Sequence, residues 1–384
     1  MVFFNCAIFS DCESILHITK CIGDSYLMLE DLDKSLESYQ KALNASEHLV
    51  DKGLHINGIK AKIHNNMGLC QKQKGCLEDA ITSFTNSLVA HMLFDEKTID
   101  TALTINNLAS CHYELRQFDH ALNLFFRSLK VYQYLEKTDM VSQKIAKVHN
   151  NIALCMMENN QFKDALSHFD KFLKIYPDKD LLLLAKANDS IAYCYTRIGQ
   201  VQKALEIYKK AHQYRLEYYS SSLEDFEAID QSELEVICQS KITNSKLQED
   251  VAMGLNNIGN CFLRCGEHAK ALENFQSALE MRKQIYGEKH IQIANILYSI
   301  GLVYKAMGLL YMPEAHDHFE KALEMAQQVD GGMNLCLKIE QAMQKPTVRR
   351  NSIAMIVEQA MQKSIMRRQS LAQVGEQNTY DSNI

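Results

Sequence analysis

Seven segments of this chain follow one pattern: CIGDSYLMLEDLDKSLESYQKAL, NMGLCQKQKGCLEDAITSFTNSL, NLASCHYELRQFDHALNLFFRSL, NIALCMMENNQFKDALSHFDKFL, SIAYCYTRIGQVQKALEIYKKAH, NIGNCFLRCGEHAKALENFQSAL and SIGLVYKAMGLLYMPEAHDHFEKAL. They align on one small residue, at Gly23, Gly68, Ala109, Ala153, Ala192, Gly259 and Gly301. A chain that repeats at this interval stacks copies of one supersecondary unit, since no single copy buries its own apolar face.

Within each copy an apolar residue precedes the anchor and a large one follows it. A loop, often marked by glycine (Gly75, Gly199, Gly266, Gly308), leads to Ala-Leu-x-x-(Phe/Tyr)-x-x-(Ala/Ser)-Leu. A second small residue stands twelve positions after the anchor (Ala80, Ala121, Ala165, Ala204, Ala271), with an aromatic four later. Two small residues let two helices approach closely and the ring fills the space between them, so each copy reads as a helical hairpin, helix A then helix B. Composition agrees: 47% of the 384 residues are apolar, only three are proline and none is tryptophan, while strong helix formers dominate.

These residues resemble the tetratricopeptide repeat over roughly residues 15–329. The resemblance implies an all-α, right-handed superhelical solenoid of about seven hairpins, with helix A lining a concave groove. The first copy departs in its loop, with Glu30 where glycine is usual, and the seventh carries two extra residues within Leu309 to Pro313. Anchor intervals of 45, 41, 44, 39 and 42 exceed the usual repeat of about 34. Long units such as NNIGNCFLRCGEHAKALENFQSALEMRKQIYG are similar to those of kinesin light chains and Partner of Inscuteable.

At about 100° per residue, the positions opposite the packing face of helix A are −6, −2, +1 and +5 from the anchor. At −2 stand Asn66, Asn107, Asn151 and Asn257, with Ser190 and Ser299 in two units. Asparagine is disfavoured inside a helix by roughly half a kcal/mol against alanine, so its recurrence calls for a compensating role. Its amide offers a donor and an acceptor that match an extended peptide backbone, and the family resemblance implies peptide binding by these NN pairs. The other reading is that the amides bridge neighbouring helices. Lys62, Lys147 and Lys186 stand at −6, and Arg197 and Arg264 at +5, giving candidate contacts to an acidic partner segment.

One interval is 67, and its excess holds an acidic stretch, 219–250, with eight acids and two lysines, which equals the entire formal charge of −6. It reads as an insertion in the repeat array, either a solvated loop or an arm competing for the groove. The rest of the body balances in charge, which argues against a nucleic-acid surface. Cys70, Cys111, Cys155, Cys194 and Cys261 all lie two residues after an anchor, where free cysteine serves as a small apolar residue. Neither they nor His316 and His318 have zinc spacing, no cofactor motif is present, and no P-loop, HExxH or GxSxG points to an enzyme.

Residues 1–14 read as an irregular N-terminus without a basic flank or cleavage site, and no stretch reaches the roughly 18 apolar residues of a membrane span. A soluble cytoplasmic protein is the expectation. After residue 329 the segment MNLCLKIEQAMQK reads as a capping helix, closing the stack through Leu335, Cys336, Leu337 and Ile339, and Pro346 ends it. The tail, 346–384, is basic and flexible or partly helical. It completes a doubled phrase, EQAMQKPTVRRNSIA and EQAMQKSIMRRQSLA. Four of the ten arginines sit there as two adjacent pairs, each followed by x-Ser-apolar. This resembles the substrate motif of basophilic kinases, with Ser352 and Ser370 as acceptors; a calmodulin-binding helix is the alternative. The sequence thus reads as a non-enzymatic adaptor holding a protein or peptide partner, with a regulatory subunit that inhibits or positions an enzyme as the competing class.

Overall fold

The computed structural model describes residues 2–344 apart from 48, 50–53, 94–96, 177–179, 223–244 and 330–331. Most of the acidic stretch, together with Ser352 and Ser370, lies outside the described residues.

The described residues are all helical, with no strand. In chain order the helices are α1 (Val2–Met28), α2 (Leu32–Glu47), α3 (Leu54–Gln73), α4 (Leu77–Met92), α5 (Ile99–Glu114), α6 (Phe118–Tyr134), α7 (Asp139–Glu158), α8 (Phe162–Ile175), α9 (Leu181–Ile198), α10 (Val201–Ser222), α11 (Ser245–Cys265), α12 (His268–Tyr286), α13 (Ile291–Met307), α14 (Met312–Gln327) and α15 (Met333–Gln344), with a 3₁₀ turn at Leu309–Tyr311. The chain forms two compact units, Met1–Ile207 and Tyr208–Ile384. In the first, α1 pairs with α2, α3 with α4, α5 with α6 and α7 with α8; in the second, α11 pairs with α12 and α13 with α14, while α15 packs on α14.

The anchors explain the pairing. A Cβ built on Gly68 would stand 2.7 Å from the ring of Phe84, and one on Gly23, Gly259 or Gly301 would stand 2.6–2.9 Å from Tyr39, Phe275 or Phe319. Helix B therefore seats its aromatic directly on the backbone of helix A. Ala80, Ala121, Ala165, Ala204 and Ala271, each four residues before the aromatic of its own helix B, are fully buried. Ser87 and Ser128 replace alanine further along helix B without an unpaired hydroxyl, donating to the carbonyls of Ala61 and Ala102 at 2.7 Å.

The loop residue seven after each anchor takes positive φ in all seven hairpins: Glu30, Gly75, Arg116, Asn160, Gly199, Gly266 and Gly308. In the first six the next residue donates to the carbonyl five back, as Asp31 does to Tyr26 at 3.0 Å and Gln117 to His112 at 2.9 Å, which is the Schellman closure of a helix end. A left-handed residue with a Cβ costs about 1–2 kcal/mol, less than the roughly 1.5–3 kcal/mol from burying each aromatic. Packing dictates the turn, and glycine is optional.

Three expectations change. Residues 2–14 begin α1 rather than forming an irregular start. The acidic stretch is shorter than 219–250, because α10 runs to Ser222 and α11 starts at Ser245. Glu249, assigned to that stretch, takes Arg282 in a two-pronged ion pair (2.8 and 3.2 Å) that ties α11 to α12. In the capping helix Leu335, Ile339 and Ala342 are buried, but Leu337 is 55% exposed, facing away from α14. Lys305 donates to the carbonyl of Ala342 and so caps α15 against α13.

The cysteines two after the anchors are buried. Burial pushes the thiols of Cys111, Cys155 and Cys194 up to about 11, which keeps them protonated and inert.

His149 and His168 face each other at 3.0 Å between α7 and α8, Nδ1 to Nδ1. One ring must donate and the other accept, so the pair is incompatible with two imidazolium ions. Burial first, then His168 and Lys171, lowers His149 to about 4; burial and Lys171 lower His168 as well, against Asp164, which raises it.

Two outcomes are expected. Glu30→Gly, which keeps the turn and removes a strained Cβ, raises stability by about 0.5–1 kcal/mol in urea unfolding, the relief of strain exceeding the added unfolded-state entropy. The unfolded chain binds protons at His149 and His168 below about pH 6.5 more readily than the folded chain, in which both groups are lowered, so stability falls as pH drops from about 6.5 towards 4. His149→Gln flattens that slope in pH-dependent thermal melts.

Candidate functional site

In the first unit the A helices α1, α3, α5, α7 and α9 follow one another, each touching the next. Their −2 asparagines do not stand apart from one another. Asn107 Nδ2 donates to Asn65 Oδ1 and Asn151 Nδ2 to Asn106 Oδ1, both at 3.1 Å. Each bond runs from position −2 of one unit to position −3 of the unit before it, which is why the residues come in NN pairs. The first rung has a different acceptor: Asn66 Nδ2 donates to Asp24 Oδ1 at 2.9 Å and to the Tyr39 hydroxyl at 3.2 Å. Tyr39 in turn donates to Asp24 at 2.7 Å. Burial alone would raise the Asp24 carboxyl, but hydrogen bonds from Lys20, Tyr39 and Asn66 together outweigh it and hold the group below the usual carboxylate range.

The amides differ in what remains available. Asn66 gives both amide hydrogens to Asp24 and Tyr39 and accepts from Asn65 at 3.2 Å. Asn107 and Asn151 are half-buried and use one amide hydrogen each, leaving a second N–H and a carbonyl oxygen apiece without a partner among the described residues.

The row stops at the fifth hairpin for a readable reason. Position −2 there is Ser190, and its hydroxyl donates back to Lys186 O at 3.2 Å. Asn150, which by register would accept from that position, is 8% exposed, and its Oδ1 has no hydrogen-bond partner among the described residues. Leaving a buried acceptor unmet costs about 1–3 kcal/mol.

The charged candidates lie where the wheel placed them, on exposed positions: Lys62, Lys147, Lys186 and Arg197 in the first unit and Arg264 in the second. Lys62 meets Asp100 at 3.3 Å, and the two border a hollow of about 190 Å³ with Asn65, Asn66 and Thr104. Arg197 donates to the Tyr193 hydroxyl at 2.7 Å and stacks over Phe162, 4.9 Å from the ring centre. Asn257 is half-buried on α11 in the second unit. His316 and His318 diverge, towards Glu320 and the Glu314 carbonyl.

Sequence reasoning missed Asp24, Asn65, Asn106 and Asn150, the acceptors of the row. The signal was present: the asparagine before each −2 asparagine is as regular as the −2 residue itself.

No helix among the described residues is long and apolar enough to cross a membrane. The tetratricopeptide repeat profile matches residues 60–133, 144–217 and 250–328, more than half of the chain. No curated protein matches the chain by sequence. Among solved structures, a tetratricopeptide repeat protein from Parabacteroides merdae matches with a TM-score of 0.50 at 18% identity, covering 85% of this chain and 97% of that one. A putative kinesin light chain with nearly identical TPR-like repeats, from Podosopora anserina, gives 0.44 at 12% identity, with coverages of 59% and 97%. YrrB, a TPR protein with an unusual peptide-binding site, gives 0.40 at 14%, with coverages of 67% and 97%. The chain belongs to the tetratricopeptide repeat family.

Proposed function

We propose that this protein is a non-enzymatic adaptor that holds an extended peptide segment of a partner protein along the A-helix face of its repeats. The observation that carries the reading is the interrupted amide row. Asn107 and Asn151 keep a donor and an acceptor each, and Asn150 keeps an unmet acceptor, buried in the free protein, that a partner's N–H would satisfy once the side chain turns outward. The exposed ammonium groups of Lys147 and Lys186 flank this stretch on α7 and α9 and favour a partner segment with acidic side chains. Such rim charges select partners and steer encounter more than they add affinity.

Two variants separate this role from a purely structural one. Asn107→Ala with Asn151→Ala is expected to weaken binding of hits from a peptide array by about tenfold, at roughly 0.5–1.5 kcal/mol per hydrogen bond. Ser190→Asn supplies the missing donor to Asn150; it is expected to stabilise the fold by about 1 kcal/mol while weakening the same peptides. Stabilisation with unchanged peptide affinity would assign the row to packing alone.

The tail fits a phosphoregulated adaptor, with Ser352 and Ser370 as acceptors for a basophilic kinase, because each follows a paired arginine and precedes an apolar residue. Each phosphate adds about −1.5 to −2 charges, enough to reverse the sign of a modestly basic tail. Incubation with a cyclic-nucleotide-dependent kinase should incorporate two phosphates per chain, and none after Ser352→Ala with Ser370→Ala; no uptake by the wild type refutes this part.

A further inference from the structure

We infer that Glu13, His17 and His55 form a zinc-type divalent-metal site joining the first A helix to the second. Glu13 and His17 are four residues apart on α1, about one turn, so their side chains share a face. His55 opens α3, 38 positions further along the chain. One ligand atom from each residue lies within 4.8 Å of the other two, and the two imidazole rings are 6.1 Å apart with a 33° tilt. Ligand bonds of about 2.0–2.2 Å bring the donors somewhat closer than this. Closure then needs only rotamer adjustment, because Glu13 is half-buried and both histidines are exposed.

Two features distinguish this cluster from a chance meeting of surface side chains. The donor set, two imidazoles and one carboxylate, is one in which zinc keeps a fourth position for water. The backbones that present the donors are fixed by packing: Leu16, next to His17, is fully buried, and Ile56, next to His55, is 3% exposed, both in one apolar cluster with Tyr39 and Leu49. The rings therefore stand on the rim of a core that already holds α1 against α3, and an ion adds a second tie at that rim.

The consequence is linkage. The three donors come together only when α1 and α3 are docked, so the ion binds the folded chain and favours that docking. His55 also borders a hollow of about 170 Å³ with Lys62, His91 and Asp100, which places the ion beside the charged end of the candidate peptide face. The inference stands without the peptide-binding reading, since its test measures the ion alone.

Cobalt(II) titration of the full metal-free chain is the direct test, followed by zinc competition and thermal melts. The expected result is one equivalent bound, with a visible d–d spectrum and no near-ultraviolet thiolate-to-cobalt absorption, and a melting temperature that rises with zinc. His17→Ala and His55→Ala should each weaken binding by at least tenfold, since removing a group that merely orients a ligand already costs about 10–100-fold. Glu13→Gln should weaken it while leaving the far-ultraviolet circular dichroism unchanged. Binding that survives the double histidine variant, a spectrum carrying the sulfur band, or no binding by the wild type would each overturn the assignment.

Discussion

Everything else in this fold depends on the contact between a side-chain-free or nearly side-chain-free position on helix A and an aromatic ring on helix B. The ring of Phe84 occupies the space that a Cβ on Gly68 would need, and the same holds for Tyr39 on Gly23 and Phe319 on Gly301. That contact fixes how closely the helices of a hairpin approach. Close approach in turn demands a tight connection, which the left-handed residue seven after the anchor supplies in every copy. The order of causes runs from packing to turn, since Glu30, Arg116 and Asn160 accept a strained conformation where glycine would be relaxed.

A constant hairpin geometry gives constant register between successive A helices. This makes a row of inter-unit hydrogen bonds available to any residue pair of suitable chemistry. The NN pairs exploit it: the roughly half kcal/mol lost by an asparagine inside a helix is offset by a hydrogen bond to the unit before, which contributes about 1 kcal/mol. Serine at −2 cannot replace it, because its short hydroxyl turns back to its own helix, as Ser190 does to Lys186 and Ser299 does to Asn295. The orphaned oxygen of Asn150 is thus a consequence of one residue two positions before an anchor, not of disorder in the repeat.

The hairpins, their anchors and the buried cysteines were legible in the sequence because each is a periodic demand of packing. The amide row was half legible: the −2 positions stood out against helix propensity, whereas their acceptors at −3 were read as part of the same phrase. Glu30 departs from the pattern in sequence because glycine is usual there, yet the turn forms through backbone bonds that any residue offers. Glu249 was grouped with its acidic neighbours, although its partner Arg282 lies 33 residues away on a different helix. Glu13, His17 and His55 escaped for the same reason. A search for metal ligands by local spacing finds pairs within one element, and this set is assembled by the docking of two.

The distribution of remaining hydrogen-bonding capacity gives the face a direction. At α3 the amide of Asn66 is committed to Asp24 and Tyr39, so that end is rigid and has little to offer. At α5 and α7 the amides keep one donor and one acceptor each, and the row ends on an unmet acceptor. In the free protein the half-buried groups exchange water for a partner's backbone at small net gain, while Asn150, already desolvated, gains more from the first donor that reaches it. On the proposed adaptor reading, a peptide backbone would be registered beside Asn150, and the choice among sequences would fall to the exposed lysines on either side of it.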